Sequence, residues 1–500
     1  MKNRKQFAAI LSVIMALTCI LSACSALDSG GVVMDGMENM NAPSQAGESY
    51  TEIIENAFVS TVENNKSYFS IDANTAAYPN LRSLINNGYS IPKDAVRVEE
   101  MLNYFHYDYE TPTDGSILSL NAAMFDTPYN AETKLLTIGL AAQEIEFSEV
   151  KNNLVFLIDT SGSMFGADRL GLVQQAFMML ADNLNPEDRV SIVTYAGSSG
   201  VALEGAFGYE KQKIMAVVED LAASGSTAGS EGIETAYSLA KKYFIEGGNN
   251  RVILATDGDF NVGISNTEKL KSFIAEKRDS GVYFSVFGVG RGNLKTDKME
   301  ALALNGNGTF SYIDSAKEAR RALVEQIGGS MVTVAKDVKA GVVFDPEYVE
   351  SFRLIGYENK LLTQEEFEDS STDAGELGSG HTVTVVYEIK LTDKALTADA
   401  KLATVEIRYK APDATAQDAS LQLLLDITGG AYRQTLTTQD AFVASVVEFA
   451  LLLRESAYKG DSTYSDLLAL LEGLDLSGDE FKEEFRGLVN TYAQKMKSAQ

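Results

Sequence analysis

Oxygen-bearing side chains follow an apolar run in the middle of this 500-residue chain. Residues 153–158 lead directly to Asp159, and Ser161 and Ser163 follow at alternate positions. With this spacing the carboxylate and the two hydroxyls can converge on one point beyond a strand end, and Gly162 allows the tight turn between them. Carboxylate and hydroxyl oxygens suit Mg²⁺, with Mn²⁺ and Ca²⁺ as alternatives. The stretch therefore predicts a site for a divalent cation.

Two positions further along the chain carry the same chemistry. Thr227 lies in the glycine-rich stretch GSTAG, just before a predicted helix, and Asp257 ends the apolar run RVILATD. Ligands of doubly wound sheets bind at the carboxyl ends of the strands. We therefore expect Asp159 and Asp257 at equivalent strand ends of one sheet, with Thr227 in a loop between them in sequence.

The pattern of residues 153–330 predicts the sheet that would position these side chains. Short apolar runs (NLVFLID, RVSIVTYA, RVILATD, GVYFSVFGVG and GTFSYI) alternate with amphipathic stretches of helical period. Nearly continuous apolar strands between helices indicate a parallel sheet covered on both faces. We predict an α/β domain with a central doubly wound, mostly parallel sheet, to which GVALEGAF adds a short antiparallel edge strand.

The flanking segments have different patterns. Residues 50–150 predict an α+β N-terminal module, in which residues 50–61 have helical spacing. Residues 331–412 alternate with period two and predict a β-rich domain, and residues 413–500 predict a helical C-terminal region. The whole chain is therefore expected to be α/β at its centre, α+β before it, and β-rich and then helical after it.

The N-terminus has the layout of a secretory signal. A basic start precedes an apolar run, and residues 1–23 end in small residues before Cys24. The ending LSAC resembles a bacterial lipoprotein signal, which implies cleavage before Cys24 and lipidation of its thiol; an uncleaved anchor and ordinary secretion are the alternatives. Residues 24–49 are rich in Gly, Ser, Asn and Met and predict a flexible tether. We expect a lipid-anchored protein on the extracytoplasmic side of a cell membrane.

Composition excludes several functional classes. The formal net charge of −28 argues against nucleic-acid binding, which needs a basic face. Both cysteines, Cys19 and Cys24, lie in the first 24 residues, so the remainder of the chain contains neither disulfides nor a thiol nucleophile. The two histidines, His106 and His381, both lie outside residues 153–330.

The ordered set of oxygen-bearing residues resembles the metal-ion-dependent adhesion site of von Willebrand factor type A domains. All five positions of that motif are matched, and the resemblance covers residues 153–330. It implies that a divalent cation is bound directly or through water, and that an acidic side chain from a protein partner completes the coordination. The implied metal ligands are Asp159, Ser161, Ser163, Thr227 and Asp257.

Stretches outside this segment resemble bacterial lipoproteins of the YfbK type. They include YFSIDANTAAYPNLRSLINNG, KDAVRVEEMLNYFHYDY, SFRLIGYEN and GHTVTVVYEI. That family places a type A domain between an N-terminal module and a C-terminal domain. The resemblance, over about residues 60–460, supports the predicted architecture and adds little about the partner.

The residues favour one of three functional classes. No nucleophile elbow, zincin motif or P-loop occurs in the chain, and Ser161 and Ser163 have no evident general base, so an enzyme is not expected. The preferred hypothesis is a membrane-anchored protein that binds a protein partner through its cation. The alternatives are an envelope assembly scaffold whose ion is purely structural and, last, a hydrolase.

Overall fold

The strands and helices that position the predicted site are seen in a computed structural model. It describes residues 48–113, 115–196, 198–225, 230–258, 267–278, 280–326, 331–415 and 418–498. The predictions for the leader, for Cys24 and for Thr227 lie outside these ranges.

The described elements follow the chain in this order. The strands are β1 (Val59–Ser60), β2 (Lys66–Ser70), β3 (Leu118–Asp126), β4 (Lys134–Ala142), β5 (Asn152–Asp159), β6 (Arg189–Tyr195), β7 (Ser199–Phe207), β8 (Asn249–Thr256), β9 (Tyr283–Val289), β10 (Phe310–Ile313), β11 (Thr333–Phe344), β12 (Val349–Ile355), β13 (Gly375–Gly378), β14 (Thr382–Leu391), β15 (Lys401–Lys410), β16 (Leu421–Thr428) and β17 (Tyr432–Arg433). The α-helices are α1 (Ala77–Asn86), α2 (Val98–Asn103), α3 (Leu170–Asp182), α4 (Lys211–Glu219), α5 (Ser230–Lys242), α6 (Thr267–Arg278), α7 (Thr296–Asn305), α8 (Ala316–Arg320), α9 (Gln364–Glu368), α10 (Thr438–Arg454), α11 (Tyr464–Glu472) and α12 (Glu480–Ser498).

The central sheet confirms the predicted doubly wound α/β fold. Its strand order is β10-β9-β8-β5-β6-β7; each neighbouring pair is parallel except β6 and β7, the predicted antiparallel edge. Successive side chains of a strand point to opposite faces. Accordingly, Phe156 and Ile158 pack with α3 on one face, while Val155 and Leu157 pack with α5 and α7 on the other.

The strands before and after the central segment pair with each other. One sheet has the order β1-β12-β14-β4-β3-β17, and β4 pairs with β14 over eight residues, from Thr382 opposite Ala141 to Ile389 opposite Lys134. A second sheet has the order β13-β11-β15-β16, and β2 also pairs with β11. The predicted module 50–150 and the predicted domain 331–412 therefore share their sheets, and residues 153–330 are inserted between them along the chain.

The helical prediction for residues 50–61 is wrong. The segment is extended, and its only regular element is the short strand β1, which pairs with β12. Its polar groups bond elsewhere in the fold: the N–H of Ile53 donates to Asp94 Oδ1 (2.9 Å), and Asn56 donates to the carbonyls of Leu354 (3.1 Å) and Gly356 (2.9 Å). Pairing with a distant strand outweighs the local helical spacing.

The predicted tether also ends earlier than residue 49. The Ser49 N–H donates to the Leu294 carbonyl at 3.0 Å, and the Glu48 carboxylate accepts from the Gly292 N–H at 3.1 Å. The last two residues assigned to the tether therefore belong to the folded part.

The predicted helical region 413–500 is α-helical only from Thr438 onward. Its first part was predicted wrongly, because strands β16 and β17 lie there and pair with β15 and β3. Helices α10, α11 and α12 share one apolar core with α1 and α2, and Phe442 of α10 packs edge-on against Phe105 and Phe485.

Among the described residues, no helix combines the length and the apolar character needed to span a membrane.

Candidate metal centre

Asp159 and the two serines converge as the spacing predicted. Asp159 is the last residue of β5 and is completely buried. Its Oδ1 accepts a hydrogen bond from the Ser161 N–H at 2.9 Å, and the chain then makes a single 3₁₀ turn over Gly162–Met164. This turn brings the hydroxyls of Ser161 and Ser163 to 3.0 Å from each other. Three predicted ligands thus lie on one short loop.

Two residues that the sequence analysis missed hold the other carboxylate oxygen. Asp159 Oδ2 accepts from the Tyr195 hydroxyl and from Thr256 Oγ1, each at 3.1 Å. Tyr195 pairs with Asp159 in the β5–β6 register, and Thr256 is the last residue of β8. The sequence could have indicated both residues, because each stands at a strand end of the predicted sheet. Together with the Ser161 N–H they fix the plane of the carboxylate.

Asp257 directly follows β8 and is also completely buried. The register pairs Ile158 with Ala255, so Asp159 and Asp257 lie at neighbouring strand ends, as predicted. Asn293 Nδ2 donates to Asp257 Oδ2 at 3.4 Å. Gly258 has a φ of +100°, and a Cβ there would lie 2.3 Å from the Asn293 carbonyl oxygen, so only glycine fits this approach.

Electrostatics favour a cation at this point. Burial raises the pKa of Asp159, hydrogen bonds from Ser161 oppose the shift, and the negative charge of Asp257 adds to it. Two buried carboxylates beside hydroxyl oxygens match the ligands that Mg²⁺ and Ca²⁺ prefer, so the described donors fit a hard divalent cation.

The described oxygen donors of the candidate site are both hydroxyls and carboxylates. Among the described residues, no group of three or more His, Cys, Asp or Glu side chains is arranged to hold a metal. The chain that approaches Thr227 is fixed beside the serine loop, because the Gly225 carbonyl accepts from the Gly162 N–H at 3.1 Å. The Ser224 N–H donates to the Thr160 carbonyl at 2.7 Å. Thr227 itself lies outside the described residues.

Comparisons with known proteins agree with the fold and with the order of the segments. Residues 153–326 match the von Willebrand factor type A domain family, residues 44–137 match a von Willebrand factor family, and residues 329–495 match the family described as "Uncharacterized protein YfbK, C-terminal".

Individual relatives differ in how much of their length aligns. The chain is 36% identical to "Uncharacterized protein YfbK" of Escherichia coli (strain K12) over 442 residues, which are 84% of this chain and 76% of that protein. It is 30% identical to "Uncharacterized protein sll0103" of Synechocystis over 170 residues, 33% of this chain and 39% of that protein. The solved structure of a von Willebrand factor type A protein from Catenulispora acidiphila covers 69% of this chain and 80% of its own, at 14% identity and a TM-score of 0.41.

Proposed function

The chain belongs to the YfbK family and contains a von Willebrand factor type A domain, and on that premise we propose that it binds a protein partner through a divalent cation. The ion would be Mg²⁺, with Mn²⁺ or Ca²⁺ as alternatives. The proposed ligands, bound directly or through water, are Asp159, Ser161, Ser163, Thr227 and Asp257.

One observation carries this proposal: hydroxyl and carboxylate oxygens meet at one edge of the central sheet. Ser161 and Ser163 lie 3.0 Å apart through their hydroxyls, beside the buried carboxylate of Asp159. Octahedral Mg²⁺ usually retains water ligands, and one of these can be exchanged for a carboxylate of another protein. The ion also reduces the repulsion that a chain of net charge −28 exerts on an acidic partner.

We further propose that the protein acts at a membrane surface. The support is the sequence LSAC, which would place a lipid on Cys24 on the extracytoplasmic side of a cell membrane. A single acyl chain gives only marginal binding, so the several chains of a bacterial lipoprotein would be needed for stable anchoring.

Binding rather than catalysis is the proposed role of the serines. Both histidines lie outside residues 153–330, and the Ser161 hydroxyl lies 3.0 Å from the hydroxyl of Ser163. A serine nucleophile needs an adjacent base to take its proton. A hydrolase would show turnover that Ser161→Ala abolishes, and we expect no such turnover.

The scaffold alternative is supported by a separate surface. Strand β16 is at the end of its sheet, and its residues Leu421 and Leu424 are 47% and 62% exposed. Edge strands with exposed apolar side chains are common sites of association. A scaffold using this edge would bind its partner without help from the metal centre.

Capture of membrane-envelope proteins by the immobilised protein separates these functions. We expect capture in Mg²⁺ and loss of capture in EDTA or with Asp159→Ala. Glu187→Ala, an exposed residue of the same domain that pairs with Lys151, is the matched control and should leave capture unchanged. Capture that survives EDTA but is lost with Leu424→Lys would contradict the metal-dependent proposal and support the scaffold.

A further inference from the structure

One loop lies between residues 48–50 and the candidate metal centre. We call residues 290–295, between β9 and α7, the bridging loop. Residue Ser49 pairs with it in parallel: the Ser49 N–H donates to the Leu294 carbonyl (3.0 Å), and the Thr296 N–H donates to the Ser49 carbonyl (3.2 Å). The Ser49 hydroxyl donates to Asp297 Oδ1 at 2.7 Å.

Glu48 adds a second attachment. One carboxylate oxygen accepts from the Gly292 N–H at 3.1 Å, and the other accepts from the Tyr50 hydroxyl at 2.8 Å. Asn80 of α1 donates to that hydroxyl at 3.0 Å. Residues 48–50 therefore hold the backbone of the bridging loop at Gly292 and Leu294.

The opposite side of the bridging loop contacts the metal centre at Asp257. Asn293 donates to the Asp257 carboxylate, and its carbonyl lies against Gly258, which has no side chain to move aside. Asn293 therefore contacts both the carboxylate of Asp257 and the backbone that follows it.

Arg169 connects the same loop to the serines. Its two terminal nitrogens donate to the carbonyls of Ser163 and Arg291, each at 2.6 Å. Its stem lies over Gly290, where a Cβ would come within 2.5 Å of Arg169 Cγ. A planar guanidinium presents its donors in a rigid fork, whereas the three donors of an ammonium rotate on a flexible stem.

We propose that residues 48–50 position the metal centre through the bridging loop, and that Arg169 is the positioning residue that couples this loop to Ser163. The inference rests on the cation site proposed above. None of these groups belongs to the proposed ligand set, so they act by orienting the ligands; loss of such supporting contacts typically weakens metal affinity by about 10–100-fold.

The consequence is a link between the anchor and the site. Glu48 and Ser49 are the last two residues of the predicted tether, residues 24–49, and Tyr50 follows them. Undocking this segment would lower cation affinity, and by reciprocity cation binding would strengthen the docking. A partner that needs the cation would then be retained best when the segment is docked.

Mn²⁺ titration by electron paramagnetic resonance, on residues 24–500, tests the coupling. We expect Arg169→Ala to weaken Mn²⁺ binding at least about tenfold, with partial recovery in Arg169→Lys. Glu48→Ala, further from the site, should weaken it about fivefold. Glu52→Ala, an exposed carboxylate of the same segment, is the matched control and should have no effect.

Hydrogen exchange supplies the reciprocal measurement. In the unchanged protein, Mn²⁺ should slow exchange of the Ser49 and Thr296 amides, and it should not do so in Asp159→Asn. If Glu48→Ala and Arg169→Ala bind Mn²⁺ as tightly as the unchanged protein, the coupling is overturned but the proposed function is not. The same holds if Mn²⁺ does not change the exchange rates of the Ser49 and Thr296 amides. Absence of Mn²⁺ binding by the unchanged protein would overturn both the coupling and the proposed function.

Discussion

Two groups of carboxylates in this protein have different kinds of partner. At the metal centre, Asp159 is held by hydroxyls and a backbone N–H. In the second group, which we call the seam cluster, the carboxylates lie around two basic side chains of the protein itself. Its members are Asp72, Glu99, Glu100 and Glu300, with Arg97 and Lys360.

The seam cluster joins three parts of the chain. Arg97, before the central segment, lies 3.2 Å from the carboxylate of Glu300 in α7, and Lys360, after that segment, lies 3.2 Å from Asp72. The difference between the groups is that the seam cluster contains basic side chains of the protein itself, whereas the candidate metal centre has the oxygens that a cation from solution would bind in the proposed function. We infer that the first serves stability and the second serves binding.

The largest effect is expected from removing the cation of the seam cluster. Arg97→Met would leave buried carboxylates unpaired and lower the free energy of unfolding by about 3–5 kcal/mol. Lys93→Met, which breaks an exposed pair with Glu455, is the control and should cost less than about 1 kcal/mol. Urea denaturation measures both variants. Equal losses would show that the seam cluster is no more than a surface ion pair.

Removal of the ion should have the next largest effect. A cation at 100 times its dissociation constant stabilises the folded state by about 2.7 kcal/mol, so EDTA should lower the free energy of unfolding by about that amount. Asp159→Asn should abolish the difference between Mg²⁺ and EDTA while leaving the fold intact. Stability that responds to EDTA equally in both proteins would place the relevant ion elsewhere.

The smallest effect concerns pH and the seam cluster. Burial, followed by the negative charge of Glu358, raises the pKa of Glu99 from 4.5 to about 7. The folded protein therefore binds more protons than the unfolded chain between these values, and this contribution to stability is lost as pH rises through that window. In Glu99→Gln the free energy of unfolding should fall less steeply with pH, by at most about 1.4 kcal/mol per pH unit.

Denaturation between pH 4.5 and 7.5 checks this prediction. Some slope should remain in the variant, because burial also raises the pKa of Glu100 and of Glu300. Glu52→Gln, exposed at the surface, is the control. A profile for Glu99→Gln that matches the wild-type profile would contradict the assignment.

The sequence was sufficient where structure is set locally. The central strands are continuous apolar runs, and both predicted aspartates come at the ends of such runs, so the sheet and the neighbouring carboxylates could be predicted. Residues 50–61 could not, because β1 is stabilised by pairing with β12, about 290 residues away in sequence. The sheets shared by residues 50–150 and 331–412 could not be predicted either, because they too are formed by strands that are far apart in sequence.

The supporting residues of the site were missed for a related reason. Arg169 and Asn293 act through loops whose approach depends on tertiary packing. Their types and spacing carry no signal of their own. Tyr195 and Thr256 were closer to prediction, because both stand at strand ends of the predicted sheet.

Anomalous diffraction from a crystal soaked in Mn²⁺ tests the central claim most directly. We predict a single strong peak at the carboxyl edge of the central sheet, within about 2.6 Å of at least one oxygen of Asp159, Ser161 or Ser163. Asp257 should be the nearest further carboxylate, and Asp159→Asn should remove the peak. A well-ordered crystal without a peak there, or with Mn²⁺ bound only at the seam cluster, would contradict the account.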